Sequence, residues 1–121
     1  GQDWAKALNP ALESMTPKGF EALWPTMPAE FMETFWGKTF NPEGLDAKTR
    51  LLLTLLGLTI MGAQAESQIR ITVRHAVAAG ATKQEIAETI ATAAVFGGVP
   101  AMSKAMELAA EAMGDDKEQD Q

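Results

Sequence analysis

One stretch constrains the fold of this chain more than any other. Residues 51 to 62 read LLLTLLGLTIMG, an unbroken apolar run in which Leu51, Leu52, Leu53, Leu55, Leu56, Leu58, Ile60 and Met61 leave no polar face. A helix that is apolar on all sides is buried all round, so the run predicts a central helix, 47 to 61, with other elements packed about it. Extended to Ala63 the run covers 13 residues, short of the ~20 that span a bilayer. Asp46 is placed to cap the helix ahead of Ala47, NPEG at 41 to 44 is a turn, and Gly62 ends the run.

The flanking sequence extends the helical reading. Residues 64 to 79 form a helix with Gly80 as its left-handed stop. Thr82-Lys83-Gln84-Glu85 is a capping box opening a helix through about Val95. Phe96-Gly97-Gly98-Val99-Pro100 is expected to break it, and AMSKAMELAAEAM is a last helix to Met113. Upstream, Pro10, Pro17, Pro25 and Pro28 cut the first forty residues into short helical pieces, DWAKALNPALESM, TPKGFEALWP and MPAEFMETFWGKTF. This part also holds Trp4, Trp24, Trp36, Phe20, Phe31, Phe35 and Phe40, a composition suited to wrapping over a core or a partner subunit. The expectation is an all-α, single-domain bundle of six or seven helices spanning 1–114, with proline-interrupted pieces in 1–40, a helical core in 46–113 and an acidic tail in 115–121. Met102, Met106 and Met113 recur at helical spacing and read as core, not as a ligand box.

Charge and composition exclude several functions. Ten basic against sixteen acidic residues give a net charge of -6, which repels phosphate backbones and argues against nucleic acid. Cysteine is absent and histidine occurs once, as His75. Disulfides, thiolate zinc sites and cysteine nucleophiles are therefore excluded, and a metal site lacks ligands. No cofactor and no membrane contact is expected. No stretch reads as a secretory leader, so the expected location is cytoplasmic.

The chemistry that remains centres on the helix within QAESQIRITVRHAVAAG, residues 64 to 80. On a helical wheel Ile69, Val73, Ala76 and Val77 form an apolar stripe, with Glu66 and Arg70 at its edge in the favourable order for an ion pair. Ala65, Gln68 and Thr72 form a neighbouring stripe, with His75 at its margin.

The order and spacing of GLDAKTR, of VRHAVAAGATKQEI and of GGVPA, with FWGKTF ahead of PEGLD, resemble the carboxymuconolactone decarboxylase family, which also contains alkylhydroperoxidase D type proteins. The resemblance covers about residues 31 to 113 and points to the decarboxylase branch. It implies an alkylhydroperoxidase D-like fold, closed homo-oligomers that are commonly trimers of dimers, and sites near subunit interfaces. The exposed aromatic and leucine-rich surface expected of a small bundle suggests oligomerisation independently.

This chain departs from the family at the chemical positions. The C-x-x-C-x-x-x-H of redox members falls on Ala65, Gln68 and Thr72, which excludes their peroxidase chemistry. The carboxylate after the Thr-Arg pair is Leu51, the histidine before the Val-Arg pair is Thr72, and the tyrosine near G-G-V-P is Phe96. The resemblance implies a carboxy-lyase acting on a small cyclic carboxylate such as a lactone acid in aromatic-compound breakdown. The alternative is a non-catalytic ligand-binding or structural oligomer of the same fold.

Loss of carbon dioxide leaves a carbanion that needs charge stabilisation and a proton. Arg74 or Arg70 is the candidate cation and His75 the candidate acid, imidazole titrating near about pH 6.5. His75 is otherwise a surface or interface residue. Arg74 is alternatively an interhelical salt bridge, Glu66 a structural partner of Arg70 rather than a catalytic carboxylate, and Trp36 a packing residue. The expected catalytic residues are His75, Arg74 and Glu66. Arg70, Thr72, Trp36 and Phe96 are the expected substrate contacts.

Overall fold

The computed structural model describes residues 25–114. The described residues form five α-helices and no strand: α1 (Ala29–Trp36), α2 (Ala47–Ile60), α3 (Glu66–Ala78), α4 (Lys83–Gly97) and α5 (Val99–Met113). The all-α expectation holds over this span. The helical pieces expected ahead of Pro25 and the acidic tail lie outside it.

Local capping sets the helix starts. The Asp46 carboxylate accepts from the Thr49 N–H at 2.8 Å, satisfying one of the donors a helix start leaves open. Hydrogen bonds from Thr49, chiefly from its side chain, hold the Asp46 carboxyl below its usual range. At α4 the capping box is complete, with Glu85 N–H to Thr82 Oγ1 at 3.0 Å and Thr82 N–H to Glu85 Oε1 at 2.9 Å. The Thr82 N–H, followed by the Lys48 ammonium, lowers the pKa of Glu85.

Helices α2 and α3 end in the same way. Gly62 and Gly80 have φ of 103° and 106°, a region closed to most L-residues. That turn sends the Gly62 and Ala63 N–H groups back to the carbonyls of Thr59 and Leu58, and those of Gly80 and Ala81 to Val77 and Ala76. Both are Schellman motifs, and each buries the alanine that follows its glycine.

Helices α2 to α5 make a four-helix arrangement: α2 packs on α3 and α4, α5 packs on α3 and α4, and α1 lies against α2. The core joins Leu51 and Leu55 of α2, Ile69, Val73 and Ala76 of α3, Ile86 and Ile90 of α4, and Ala105, Leu108 and Ala109 of α5. Burying each large aliphatic side chain stabilises the fold by roughly 1.5–3 kcal/mol. Thr59, fully buried, satisfies its hydroxyl by donating to the Leu55 carbonyl at 2.8 Å. Met102, Met106 and Met113 pack against this core from partly buried positions.

Three expectations need correction. Helix α2 is not buried all round: Ala47, Leu51, Leu55 and Thr59 form one buried stripe, while Leu53 is 50% exposed. A single four-residue stripe is all that the packed neighbours within one chain reach. Val77 is exposed instead of sharing the Ile69–Val73–Ala76 stripe. The break between α4 and α5 is the single residue Gly98, since Pro100 sits in the first turn of α5, where its missing N–H costs nothing.

Candidate functional site

Helix α1 is short and gains its position from one carboxylate. Glu33 Oε1 accepts from the Ala47 N–H at 2.7 Å and Oε2 from the Lys38 N–H at 2.6 Å. The same side chain thus closes the turn after α1 and satisfies a donor at the start of α2. Held there, α1 stands its aromatic side chains over the seam between α2 and α3. Phe31 and Phe35 pair with ring centroids 4.7 Å apart and a tilt of 44°.

Beneath them is a cleft of about 360 Å³. Met27, Phe31, Met32, Phe35 and Trp36 line it from the α1 side, Leu51 and Thr54 from α2, and Ile71, Thr72 and His75 from α3. None of these residues except His75 is ionisable.

His75 is buried, with 5% of its surface exposed, which corrects the reading of it as a surface residue. Its Nδ1 lies 2.8 Å from the Ile71 carbonyl oxygen, and its Nε2 accepts from the Met27 N–H at 3.1 Å. A carbonyl oxygen only accepts and an amide N–H only donates, so these partners assign a neutral imidazole with its hydrogen on Nδ1. Burial follows from this pairing, because both ring nitrogens are satisfied by backbone.

Of the residues expected to form a site, the cleft brings together His75, Thr72 and Trp36. Leu51 and Thr72, which stand where the family resemblance places a carboxylate and a histidine, also meet there. The others lie elsewhere. Arg70 is buried and sits 3.5 Å from Glu66 and 3.6 Å from Glu111, while Lys104 reaches Glu66 at 3.1 Å. This network joins α3 to α5. Arg74 lines a second cleft with Lys83, Val77, Ala81 and Met113. Phe96 is 69% exposed and lines neither cleft.

Sequence reasoning did not place Met27, Phe31, Met32, Phe35, Thr54 or Ile71 at the site. Two of them carried a signal: Thr54 lies one turn beyond Leu51 and Ile71 one turn before His75, on the faces already singled out. Among the described residues no group of three or more His, Asp or Glu side chains is arranged to hold a metal ion, and no helix is long and apolar enough to cross a membrane.

The chain is 56% identical over 119 residues to an uncharacterized 15.0 kDa protein of Paracoccus denitrificans encoded in the nqo9-nqo10 intergenic region, covering 98% of this chain and 89% of that one. It is 34% identical over 80 residues to a 4-carboxymuconolactone decarboxylase of Acinetobacter baylyi, covering 66% of this chain and 58% of that protein. It is 42% identical over 74 residues to the nitrosuccinic acid decarboxylase npaB of Metarhizium robertsii, covering 61% of this chain and 50% of that protein. The chain thus spans about half the length of the two named decarboxylases. Residues 25–111 match the pattern of the carboxymuconolactone decarboxylase family, and the chain belongs to that family.

Proposed function

We propose that the chain is a decarboxylase of a small, compact carboxylic acid, working in the cleft beneath α1. Two relatives of different substrate name, one acting on 4-carboxymuconolactone and one on nitrosuccinic acid, share decarboxylation. The observation that carries the reading is the scarcity of charge around the cleft: nine of the ten described residues that line it cannot ionise, and both ring nitrogens of the tenth, His75, are paired with backbone groups.

Decarboxylation gains from such surroundings. The C–COO⁻ bond breaks to give carbon dioxide and a carbanion, which then takes one proton. A carboxylate moved from water into an uncharged cleft loses its hydration, whereas the transition state spreads the same charge over carbon dioxide and the remaining skeleton. The charged ground state is therefore penalised more than the transition state. His75 is the group in the cleft able to deliver the proton. Nε2 takes a proton from solvent, which ends its acceptance from Met27, and passes it to the carbanion.

In this reading Arg74, Arg70, Glu66 and Phe96 contact substrate only if a second copy brings them to the cleft. A homo-oligomer, by family likeness a hexameric trimer of dimers, is supported by the exposure of Phe35, Phe40, Met61, Val95, Phe96 and Val99. A lactone acid from aromatic-compound breakdown, handled in the cytoplasm, is the substrate class in view.

One observation favours a second reading, a ligand-binding oligomer without catalysis: both nitrogens of His75 are engaged with backbone, and Leu51 and Thr72 occupy the positions of the family's carboxylate and histidine. Carbon dioxide release from freshly prepared 4-carboxymuconolactone and from nitrosuccinate separates the two. Release from either acid supports the decarboxylase. Ligand-dependent thermal stabilisation without release supports the binding protein.

A further inference from the structure

A cation held partly out of water is costly unless an anion meets it. Helix α2 carries one guanidinium in that position. Arg50 is half-buried, and its Nε is closed off from solvent with no hydrogen-bond partner among the described residues. The carboxylates at this end of α2 are engaged elsewhere. Asp46, one turn before Arg50, accepts from the Thr49 N–H at 2.8 Å. The two oxygens of Glu33 are taken by the Ala47 and Lys38 N–H groups. The guanidinium charge is delocalised over all its nitrogens, so an anion held by the terminal pair offsets the cost at the hidden Nε.

Arg50 stands beside the cleft beneath α1. Thr54 lines that cleft and donates its hydroxyl to the Arg50 carbonyl at 2.8 Å. Arg50 is therefore one turn, about 5.4 Å, ahead of a lining residue on the same side of α2. It does not itself line the cleft, so its charge lies next to the charge-poor lining rather than within it. The other arginines of the helical core are placed differently, Arg70 between Glu66 and Glu111 and Arg74 in the second cleft.

The two acids named above as test substrates each carry two carboxylates, of which decarboxylation removes one. We propose that Arg50 is a carboxylate-binding residue at the mouth of this cleft, where it holds the carboxylate that a dicarboxylic substrate keeps while the one that leaves lies among the uncharged side chains. The proposal rests on the assignment of this cleft as the working site. A guanidinium offers a carboxylate two parallel N–H donors. Binding energy gained there, away from the reacting bond, offsets the cost of desolvating the other carboxylate.

Succinate and butyrate test this without turnover, since they share a four-carbon chain and differ by one carboxylate. Each is titrated into the full chain at neutral pH while the backbone amide signals of Arg50, Thr54 and His75 are followed by NMR. Succinate is expected to move these signals and to bind at least ~10-fold more tightly than butyrate, as one charge-assisted pair supplies. Arg50→Met, which keeps the length and removes the charge, abolishes that difference and leaves butyrate within about 2-fold of its wild-type affinity. Arg50→Lys retains part of the preference. Without ligand, Arg50→Met melts no lower than wild type, because no ion pair is lost.

Succinate binding no tighter than butyrate overturns the proposal, as does an Arg50→Met protein that keeps the succinate preference or weakens both ligands equally. Should Arg50→Met fail to fold, the two ligands on the unaltered chain still decide. An Arg50-dependent preference for succinate in a chain that releases no carbon dioxide leaves this proposal standing and removes the decarboxylase. Carbon dioxide release from nitrosuccinate with the same KM in wild type and Arg50→Met does the reverse.

Discussion

Replacing Glu33 by alanine tests the link between fold and site, because Glu33 does not line the cleft yet positions the helix that does. Its carboxylate serves two N–H groups, that of Ala47 at 2.7 Å and that of Lys38 at 2.6 Å. Ala47 is 1% exposed, so its N–H is poorly placed to find water, and leaving it unsatisfied costs about 1–3 kcal/mol. Lys38 is exposed, and solvent replaces most of that bond at a cost of about 0.5 kcal/mol. Together Glu33→Ala is expected to destabilise the fold by about 1.5–3.5 kcal/mol, or roughly 6–14 °C in melting temperature for a domain of this size. Loosening α1 also unseats Phe31, Met32, Phe35 and Trp36. Amide exchange should therefore speed up across 29–40 while the core of α3 and α4 keeps its protection. Glu33→Gln retains one acceptor but turns an NH₂ towards the other N–H, and falls between wild type and Glu33→Ala. A Glu33→Ala protein within about 0.3 kcal/mol of wild type, with unchanged exchange in α1, would refute this reasoning.

Leu55 is fully buried between α3 and α4, and Leu55→Ala should cost about 2–5 kcal/mol in urea unfolding. Thr82→Ala breaks the capping box of α4 and should cost about 1 kcal/mol by the same assay. Folding lowers the carboxyl pKa of both Asp46 and Glu85. Their contribution is thus complete above the ordinary values of 3.8 and 4.5 and is lost as the pH falls through the lower folded values. Acid unfolding curves of Asp46→Asn and Glu85→Gln should accordingly be shallower than wild type below about pH 4.5 and similar in slope at pH 7.

The features legible in the sequence were the local ones. Asp46 before Ala47, Thr82 with Glu85, and Gly80 after α3 are devices whose partners lie within five residues, and each appears where the pattern places it. The central apolar run located α2 but overstated its burial, because hydropathy counts leucines and does not say how many neighbours one chain supplies. Gly-Gly and Pro100 suggested a long break after α4, yet a proline in a first helical turn does not break anything.

At the site, Trp36, Thr72 and His75 were recognisable from residue type and family likeness. Their assembly was not. The Met27–His75 bond joins residues 48 apart, and nothing near either of them in sequence signals the other. Glu33 was overlooked for a related reason: a glutamate in a short helix reads as solvated, and its two partners are featureless backbone N–H groups.

The most direct test of the account is the rate of carbon dioxide release from 4-carboxymuconolactone and from nitrosuccinate by wild type and by His75→Gln. Glutamine offers Met27 an acceptor through its amide oxygen, but its NH₂ is not an acid near neutral pH, so the variant separates proton delivery from the structural bond. The account predicts release from at least one acid by wild type and a rate at least ~100-fold lower in the variant, the range that general-acid catalysis supplies. Equal rates in the two proteins, or no release from either acid by wild type, would contradict it.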